Sequence, residues 1–445
     1  MACAFRSKFL YDNSRVLAST SWFTCKNYCS TSKNSYELVV VGGGAGGCAA
    51  AAKFSSKLGA GKVAIIEPAD MHYYQPMFTL IGGGMKTLKN SCKPMSKVLP
   101  KKADWIKQRC ISFDPDNNKV VTEDGKEISY KYLVLALGMQ LNYDAIPGLI
   151  EGLTTPGSGV CSNYSPAYVD RTFESLKAFK SGNAVFTFPN TPVKCAGAPQ
   201  KVMYISEEYL RKEGKRDKAN IIYNTSLPVL FGIQKYADAL WKVVKSRNIE
   251  VNTRRNLVEV LPREKRAVFQ NLDNLAEKVT TDFELLHVTP PMSAPKELKA
   301  CQQLTDANGF VSVNKDSMQH TTYSNVFGIG DCTNSPNAKT AAAVAGQIGV
   351  LRKNLSAVMA GKPLTAVYDG YTSCPLVTGY SKCILAEFDY SGQPLETFPI
   401  NQAVERRTMF HLKKDFMPDM YWLGLLNGYW EGPGLMRSAM HLGMK

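Results

Sequence analysis

The stretch that decides the fold is Tyr36-Glu-Leu-Val-Val-Val-Gly-Gly-Gly-Ala-Gly-Gly-Cys-Ala-Ala-Ala-Ala-Lys53. Leu38 to Val41 is a short apolar, β-branched run, the mark of a parallel strand buried on both faces. Ala49 to Phe54 reads as a helix, because alanine favours helix and lets it lie close on a strand. Between them Gly42, Gly44 and Gly47 fit G-x-G-x-x-G, with Ala45 and Gly46 completing the turn. The first glycine makes the tight turn, the second lets backbone approach a pyrophosphate, and the third lets helix and strand touch. The helix N-terminus adds free N–H groups and a partial positive charge. A lone fingerprint is weak evidence, but here the strand, the helix and a downstream acid agree. That acid is Glu67, at the end of a second apolar strand, Val63-Ala-Ile-Ile-Glu67, roughly twenty residues on, where a carboxylate accepts from a ribose hydroxyl. Alone, the stretch suits either FAD or NAD.

The chain has 445 residues, enough for two or three domains. Its formal net charge of +15 favours an anionic surface or ligand without choosing between them. No basic block is interleaved with aromatics, so nucleic acid is disfavoured. No apolar run approaches the roughly 20 residues that span a bilayer. The 12 cysteines are scattered with no C-x-x-C pair, so neither a zinc site nor a secreted disulfide scaffold fits. Residues 1–35 carry Arg6, Lys8, Arg15, Lys26 and Lys33 against one acid, Asp12, among several serines. Basic, serine-rich and acid-poor describes a mitochondrial transit peptide, and Cys3, Cys25 and Cys29 are discounted with it.

After Glu67, Pro68-Ala-Asp-Met-His-Tyr-Tyr-Gln-Pro-Met77 is a loop at the carboxyl end of a strand, where doubly wound sheets bind ligands. Gln75 is placed to reach an isoalloxazine or ribityl group. Trp105 to Ile111 reads as one further strand, with Cys110 near an adenine through its backbone. Val120 to Tyr130, with Asp124-Gly125, is a hairpin. Tyr132-Leu-Val-Leu-Ala-Leu-Gly138 is a buried strand ending in glycine. Far downstream, Asn325-Val-Phe-Gly-Ile-Gly-Asp331 repeats the design of strand, glycine and acid. Asp331 is placed on the ribityl chain, and a helix starting near Lys339, Thr340, Ala341 and Ala342 turns its N–H groups to the flavin. This second segment makes the ligand of the fingerprint FAD. Between the two segments lies another βαβ region, with strands Asn183 to Phe188 and Ala219 to Asn224. Its turn, Pro189-Asn-Thr-Pro-Val-Lys-Cys195-Ala-Gly-Ala-Pro-Gln-Lys201, has prolines and a cysteine where NAD(P)H phosphates need glycines. The expected class is therefore α/β: two Rossmann-like dinucleotide-binding domains, the FAD domain split in sequence (36–150 and 291–360) around a second one lacking the NAD fingerprint (151–290). A C-terminal membrane-interface region (361–445) follows. In it, Asp369 to Tyr380 reads as a loop, Ile384 to Tyr390 as a strand, and the Trp-, Tyr- and Met-rich tail with Lys413, Lys414 and Arg437 as an interfacial anchor.

The two cysteine stretches, Val193-Lys-Cys195-Ala-Gly-Ala-Pro-Gln-Lys201 and Tyr371-Thr-Ser-Cys374-Pro-Leu-Val-Thr-Gly-Tyr380, resemble those of the sulfide:quinone oxidoreductases, in their mitochondrial form. The resemblance covers the chain after the presequence. It implies that Cys195 and Cys374 face each other beside FAD as a redox disulfide, bridged by two or three sulfurs. It further implies that HS⁻ attacks this bridge as a thiolate does, leaving a persulfide on Cys374 and a thiolate on Cys195. A small acceptor, glutathione or sulfite, takes the outer sulfur, and ubiquinone takes two electrons at the mitochondrial inner membrane. Lys194 and Lys201 are candidates for the positive charge that stabilises thiolates. Bacterial relatives often use a third redox cysteine, and Cys161, the nearest candidate, is read as structural. Two rival readings are an NADH:quinone dehydrogenase, which needs a second nucleotide fingerprint, and a non-catalytic, membrane-associated flavin redox sensor.

Overall fold

The apolar run before the fingerprint is strand β1 (Ser35–Val41), and helix α1 (Ala45–Leu58) follows the glycine turn. β1 lies between β2 (Val63–Ile66) and a later strand, parallel to both. In a computed structural model that describes residues 33–443, β2 continues outward to β3 (Asp104–Ile106). The expected presequence, with its three cysteines, lies outside the described residues except for its last few positions. β4 (Cys110–Asp114) and β5 (Lys119–Thr122) then form an antiparallel extension with the start of β6 (Glu127–Leu135). Two expectations are corrected here. Trp105 to Ile111 is not one strand: Gln108 N donates to the Ile106 carbonyl (2.9 Å), and this turn separates β3 from β4. The hairpin arm and the strand ending at Gly138 are one strand, because the first part of β6 pairs antiparallel with β5 and its last part runs parallel beside β1.

The second sheet is fully parallel. In chain order it takes β7 (Val160–Cys161), β8 (Gly182–Phe188), β9 (Ala219–Thr225), β10 (Glu250–Asn252) and β11 (Leu285–His287). The spatial order is β7-β11-β8-β9-β10. Helix α2 (Ala198–Lys212) crosses from β8 to β9. The chain then returns to the first sheet as β12 (Val326–Gly328), parallel to β6. Helix α3 (Ala341–Met359) follows, capped by Thr340, whose hydroxyl accepts from Ala343 N at 3.1 Å.

This register builds the site. Val41 pairs with Ile66 and with Leu135, and Leu135 pairs with Gly328. Four parallel strands thus end on one edge and deliver Gly42, Glu67, Ala136 to Gly138 and Gly330-Asp331 to it, the place where doubly wound sheets bind ligands. The four residues from Leu38 to Val41 are at most 2% exposed. Each buried aliphatic side chain contributes about 1.5–3 kcal/mol, which anchors this edge.

The expected loop around Cys374 is a strand, β13 (Thr372–Val377), paired antiparallel with β14 (Cys383–Phe388). Pro375 is tolerated because β13 is an edge strand, paired on one side only. β13 packs against both α2 and α3, which carries Cys374 into the space between the two dinucleotide-type sheets. The tail continues as α4 (Arg407–His411), two π-helical turns (Leu412–Phe416 and Met420–Leu425) and α5 (Gly434–Met440). Among the described residues no helix is long and apolar enough to cross a membrane.

Candidate functional site

A cavity of about 580 Å³ opens at the common strand edge. Its wall carries Gly42, Gly44, Ala45, Gly46, Glu67, Gln75, Gly138, Asp331, Lys339, Thr340, Ala341 and Ala342, together with Cys195, Lys201 and Cys374. Gly47 does not reach this wall. It acts from behind: a Cβ there would lie 1.7 Å from the Gly42 carbonyl oxygen, so only glycine lets α1 close onto the turn. At Gly44 the same addition meets no atom within 4 Å, so the turn is open where a pyrophosphate has to approach. Glu67 Oε2 accepts from Gly43 N (2.6 Å) and Oε1 from Ala69 N (2.7 Å), which fixes the carboxylate beside the loop. These features fit a dinucleotide. Cys110 stands apart, opening β4 with its thiol turned to the Ser112 carbonyl (3.6 Å); it is not on the cavity wall. Its placement follows from the turn at Gln108, which sends it into the antiparallel extension.

Asp331 lies in a short 3₁₀ turn after β12. Burial raises its pKa, while Lys339 and Lys194 draw it back. Lys194 donates to Gln75 Oε1 at 2.7 Å. Burial lowers its own pKa to about 8, against the pull of Asp331.

The cysteines meet on the inner wall. Cys195 has φ 55°, the left-handed conformation that costs a residue with a Cβ energy. Two hydrogen bonds hold it there: Cys195 N donates to the Lys339 carbonyl, and Ala198 N to the Cys195 carbonyl, each at 2.8 Å. Gly197, which precedes α2, faces Cys374. A Cβ on it would lie 2.6 Å from Cys374 Sγ, so the missing side chain is what lets the α2 N-terminus approach the sulfur. Lys201, in the first turns of α2 and 3% exposed, brings Nζ to 3.2 Å from Cys195 Sγ and 3.8 Å from Cys374 Sγ. The Cys195 thiol is held well below its ordinary range, first by the hydrogen bond from Cys374 and then by the Lys201 charge, against burial. The same hydrogen bond and burial push Cys374 up. In the reduced pair these directions favour the thiolate on Cys195 and the thiol on Cys374. Burial opposes the Lys201 charge, but Cys195 and Cys374 outweigh it, and the ammonium is held above its ordinary range. Cys161 sits in β7, where burial pushes its thiol up to about 12.

The cavity wall also takes Lys413, which the sequence places in an interfacial anchor, and His72 and Tyr421, to which the sequence assigns no role. Lys413 is buried within the tail, its Nζ donating to the Pro76 carbonyl (2.9 Å), with its pKa lowered to about 8 by burial and by Lys201. His72 and Tyr421 meet at 2.6 Å across 349 residues of sequence. Beyond the sulfurs the wall turns apolar, with Leu385, Phe398, Leu412, Met417, Met420 and Leu425. Lys413 interrupts it, and so does a carboxylate. Glu387, 3% exposed, accepts from the Tyr371 hydroxyl (2.6 Å), from the hydroxyl and N–H of Thr397, and from Gln402 Nε2 (2.8 Å each). Such a chamber suits a flat apolar molecule with a polar end.

Residues 36–184 match the family model described as pyridine nucleotide-disulphide oxidoreductase. The mitochondrial sulfide:quinone oxidoreductase of Mus musculus is 53% identical over 416 residues, covering 94% of this chain and 92% of that protein. The protein of the same name from Dictyostelium discoideum is 43% identical, covering 90% of this chain and 88% of its own length. The crystal structure of the sulfide:quinone oxidoreductase from Aquifex aeolicus superposes with a TM-score of 0.77 at 21% identity, over 92% of this chain and 96% of that one, which shows a shared fold. At 53% identity across nearly its whole length, the chain belongs to the mitochondrial sulfide:quinone oxidoreductases, a family of flavin-dependent oxidoreductases.

Proposed function

We propose that this chain oxidises hydrogen sulfide at Cys195 and Cys374, passes the sulfur to a small acceptor, and delivers two electrons to ubiquinone through FAD. The observation that carries this reading is the Lys201 ammonium set between two sulfurs on the wall of a dinucleotide cavity that continues into an apolar chamber. In the oxidised pair a bond joins the two Sγ atoms. HS⁻ attacks Cys374 Sγ, the sulfur–sulfur bond breaks, and its electron pair leaves on Cys195 as a thiolate. Lys201 stabilises that leaving thiolate. The outer sulfur of the Cys374 persulfide passes to sulfite or glutathione, and Cys374 is left as a thiol. Re-forming the bond releases two electrons and the Cys374 proton. FAD would be held by the Gly42 to Gly47 turn, Glu67, Asp331 and the start of α3, and would supply the two-electron carrier between the sulfurs and the quinone.

Membrane attachment is supported by the tail. Leu423, Tyr429, Leu435 and Leu442 are all exposed, Leu435 by 90%, on a chain of net charge +15. Phe416, Met417 and Met420 of the same segment line the apolar chamber, so quinone enters from the lipid side. A one-leaflet (monotopic) attachment to the mitochondrial inner membrane follows from this. Steady-state reduction of a ubiquinone analogue tests the assignment: sulfide supports turnover, with sulfite or glutathione raising the rate, and NADH does not. Turnover with NADH in place of sulfide contradicts it.

A further inference from the structure

His72 is buried, 3% exposed, and takes no part in the sulfur chemistry. Its ring nitrogens have two close partners, with the Cys48 thiol further off at 4.0 Å from Nδ1. Nδ1 lies 2.9 Å from the Gly43 carbonyl oxygen and Nε2 lies 2.6 Å from the Tyr421 hydroxyl. A carbonyl only accepts, so Nδ1 carries the proton, and the bare Nε2 accepts from the Tyr421 O–H. Burial lowers the pKa of the ring to about 4, so this neutral tautomer holds at neutral pH.

Gly43 stands between two fingerprint glycines. Its N–H is held by Glu67, and its carbonyl accepts from His72 at 2.9 Å and, more weakly, from the Cys48 thiol at 3.2 Å. The peptide joining Gly43 to Gly44 is planar, so fixing its carbonyl also fixes the direction of the Gly44 N–H. Gly44 lies on the cavity wall where the pyrophosphate has to approach.

Tyr421 belongs to a different part of the molecule. It lies in the π-helical turn Met420–Leu425, whose Met420 and Leu425 line the apolar chamber, and it lines the cavity itself. Tyr74 packs on its ring with centroids 4.6 Å apart, and Trp422 meets His72 edge-on at 5.6 Å. π-helical turns are frequent where a helix serves a site rather than regular packing. One hydroxyl therefore ties the chamber wall to the histidine that holds the cofactor turn.

We propose that Tyr421 and His72 form a strut coupling the quinone chamber to the dinucleotide turn. His72 is a positioning residue acting through the Gly43 carbonyl. A quinone headgroup in the chamber orders the Met420–Leu425 turn, the turn holds Tyr421 on His72, and the dinucleotide leaves more slowly. Linkage makes the effect reciprocal: bound dinucleotide tightens quinone binding by the same factor. The inference rests on the preceding reading that FAD and quinone occupy this cavity.

The test is the rate of FAD release from the diluted holoenzyme, followed by the fluorescence of free FAD, with and without a short-chain ubiquinone analogue. In the wild-type protein the analogue slows release. Tyr421→Phe keeps the ring and removes one hydrogen bond, so release becomes roughly five-fold faster and the analogue no longer slows it. His72→Asn keeps a donor for the Gly43 carbonyl but cannot reach Tyr421, so it too loses the analogue effect. The double variant is no worse than His72→Asn alone, because both changes break the same connection. A Tyr421→Phe protein that retains the analogue effect overturns the strut, as does a double variant whose losses add. A wild-type protein that holds FAD and reduces quinone, yet shows no analogue effect, overturns the strut and leaves the reading of the site standing. One that holds no FAD overturns both.

Discussion

Lys201 Nζ lies 3.2 Å from Cys195 Sγ, reaching it from the helix that begins at Ala198. The contact adds to the hydrogen bond from Cys374 in holding the Cys195 thiol below its ordinary range. Removing the charge while keeping the stem, as in Lys201→Met, raises the Cys195 pKa, and each unit costs a tenfold fall in thiolate at a pH below it. An opposite charge at this range is worth about 1–3 units, so flavin reduction by sulfide at neutral pH slows about 10- to 1000-fold. The sign sets the pH profile. A thiol whose pKa has risen ionises again as pH rises, so the deficit narrows toward alkaline pH. Stopped-flow rates across the pH range check this.

Cys195→Ser and Cys374→Ser each remove one end of the sulfur bridge and leave the glycine turn untouched. Both proteins are expected to retain their flavin and to show no bleaching with sulfide. The absorbance spectrum before and after sulfide addition is the check.

Gly197→Ala places a methyl group 2.6 Å from Cys374 Sγ and 2.7 Å from Leu376 Cδ2. Neither neighbour is the free end of a long side chain, so the α2 N-terminus and β13 move apart. A displacement near 1 Å at reacting atoms costs about 100-fold in rate. The expected result is that loss with the flavin content unchanged, read from kcat and the flavin-to-protein absorbance ratio.

Glu431 clamps the tail to the dinucleotide domain through Lys53 on α1, at 2.8 Å, and Arg352 on α3, at 2.5 Å. Burial opposes its charge, but Arg352 and Lys53 outweigh it and hold its pKa down to about 2, from 4.5. A carboxylate lowered in the folded state stabilises the protein fully above the unfolded value and loses that contribution as pH falls from about 4.5 toward 2. After allowance for solvent screening this amounts to about 1–2 kcal/mol. Urea midpoints taken between pH 6 and 3 fall more steeply for the wild type than for Glu431→Gln.

The dinucleotide turn was legible because its signal is local. Gly42 to Gly47, Glu67 and Asp331 each sit where a strand ends, and strand, turn and helix are adjacent in sequence. The cysteines were legible through family resemblance and the absence of glycines after Phe188. Cys374 reads as part of a loop because Pro375 and nearby glycines argue against a strand, whereas the edge strand of a two-stranded ribbon accommodates both. Trp105 to Ile111 reads as one strand because its ends are apolar, and the turn at Gln108 that divides it shows only once the chain folds. Lys413, His72 and Tyr421 were illegible for a different reason. Lys413 follows an apolar residue in a basic, aromatic tail and resembles any surface lysine, and only the packing of that tail over Pro76 buries it. His72 and Tyr421 each look ordinary until the chain folds them together.

Anaerobic titration of the purified flavoprotein with sulfide, followed by a ubiquinone analogue, tests the central claim most directly. The account predicts that sulfide bleaches the flavin absorbance, that the analogue restores it, and that NADH leaves it unchanged. A flavin that sulfide fails to bleach, or that NADH bleaches in its place, contradicts the account.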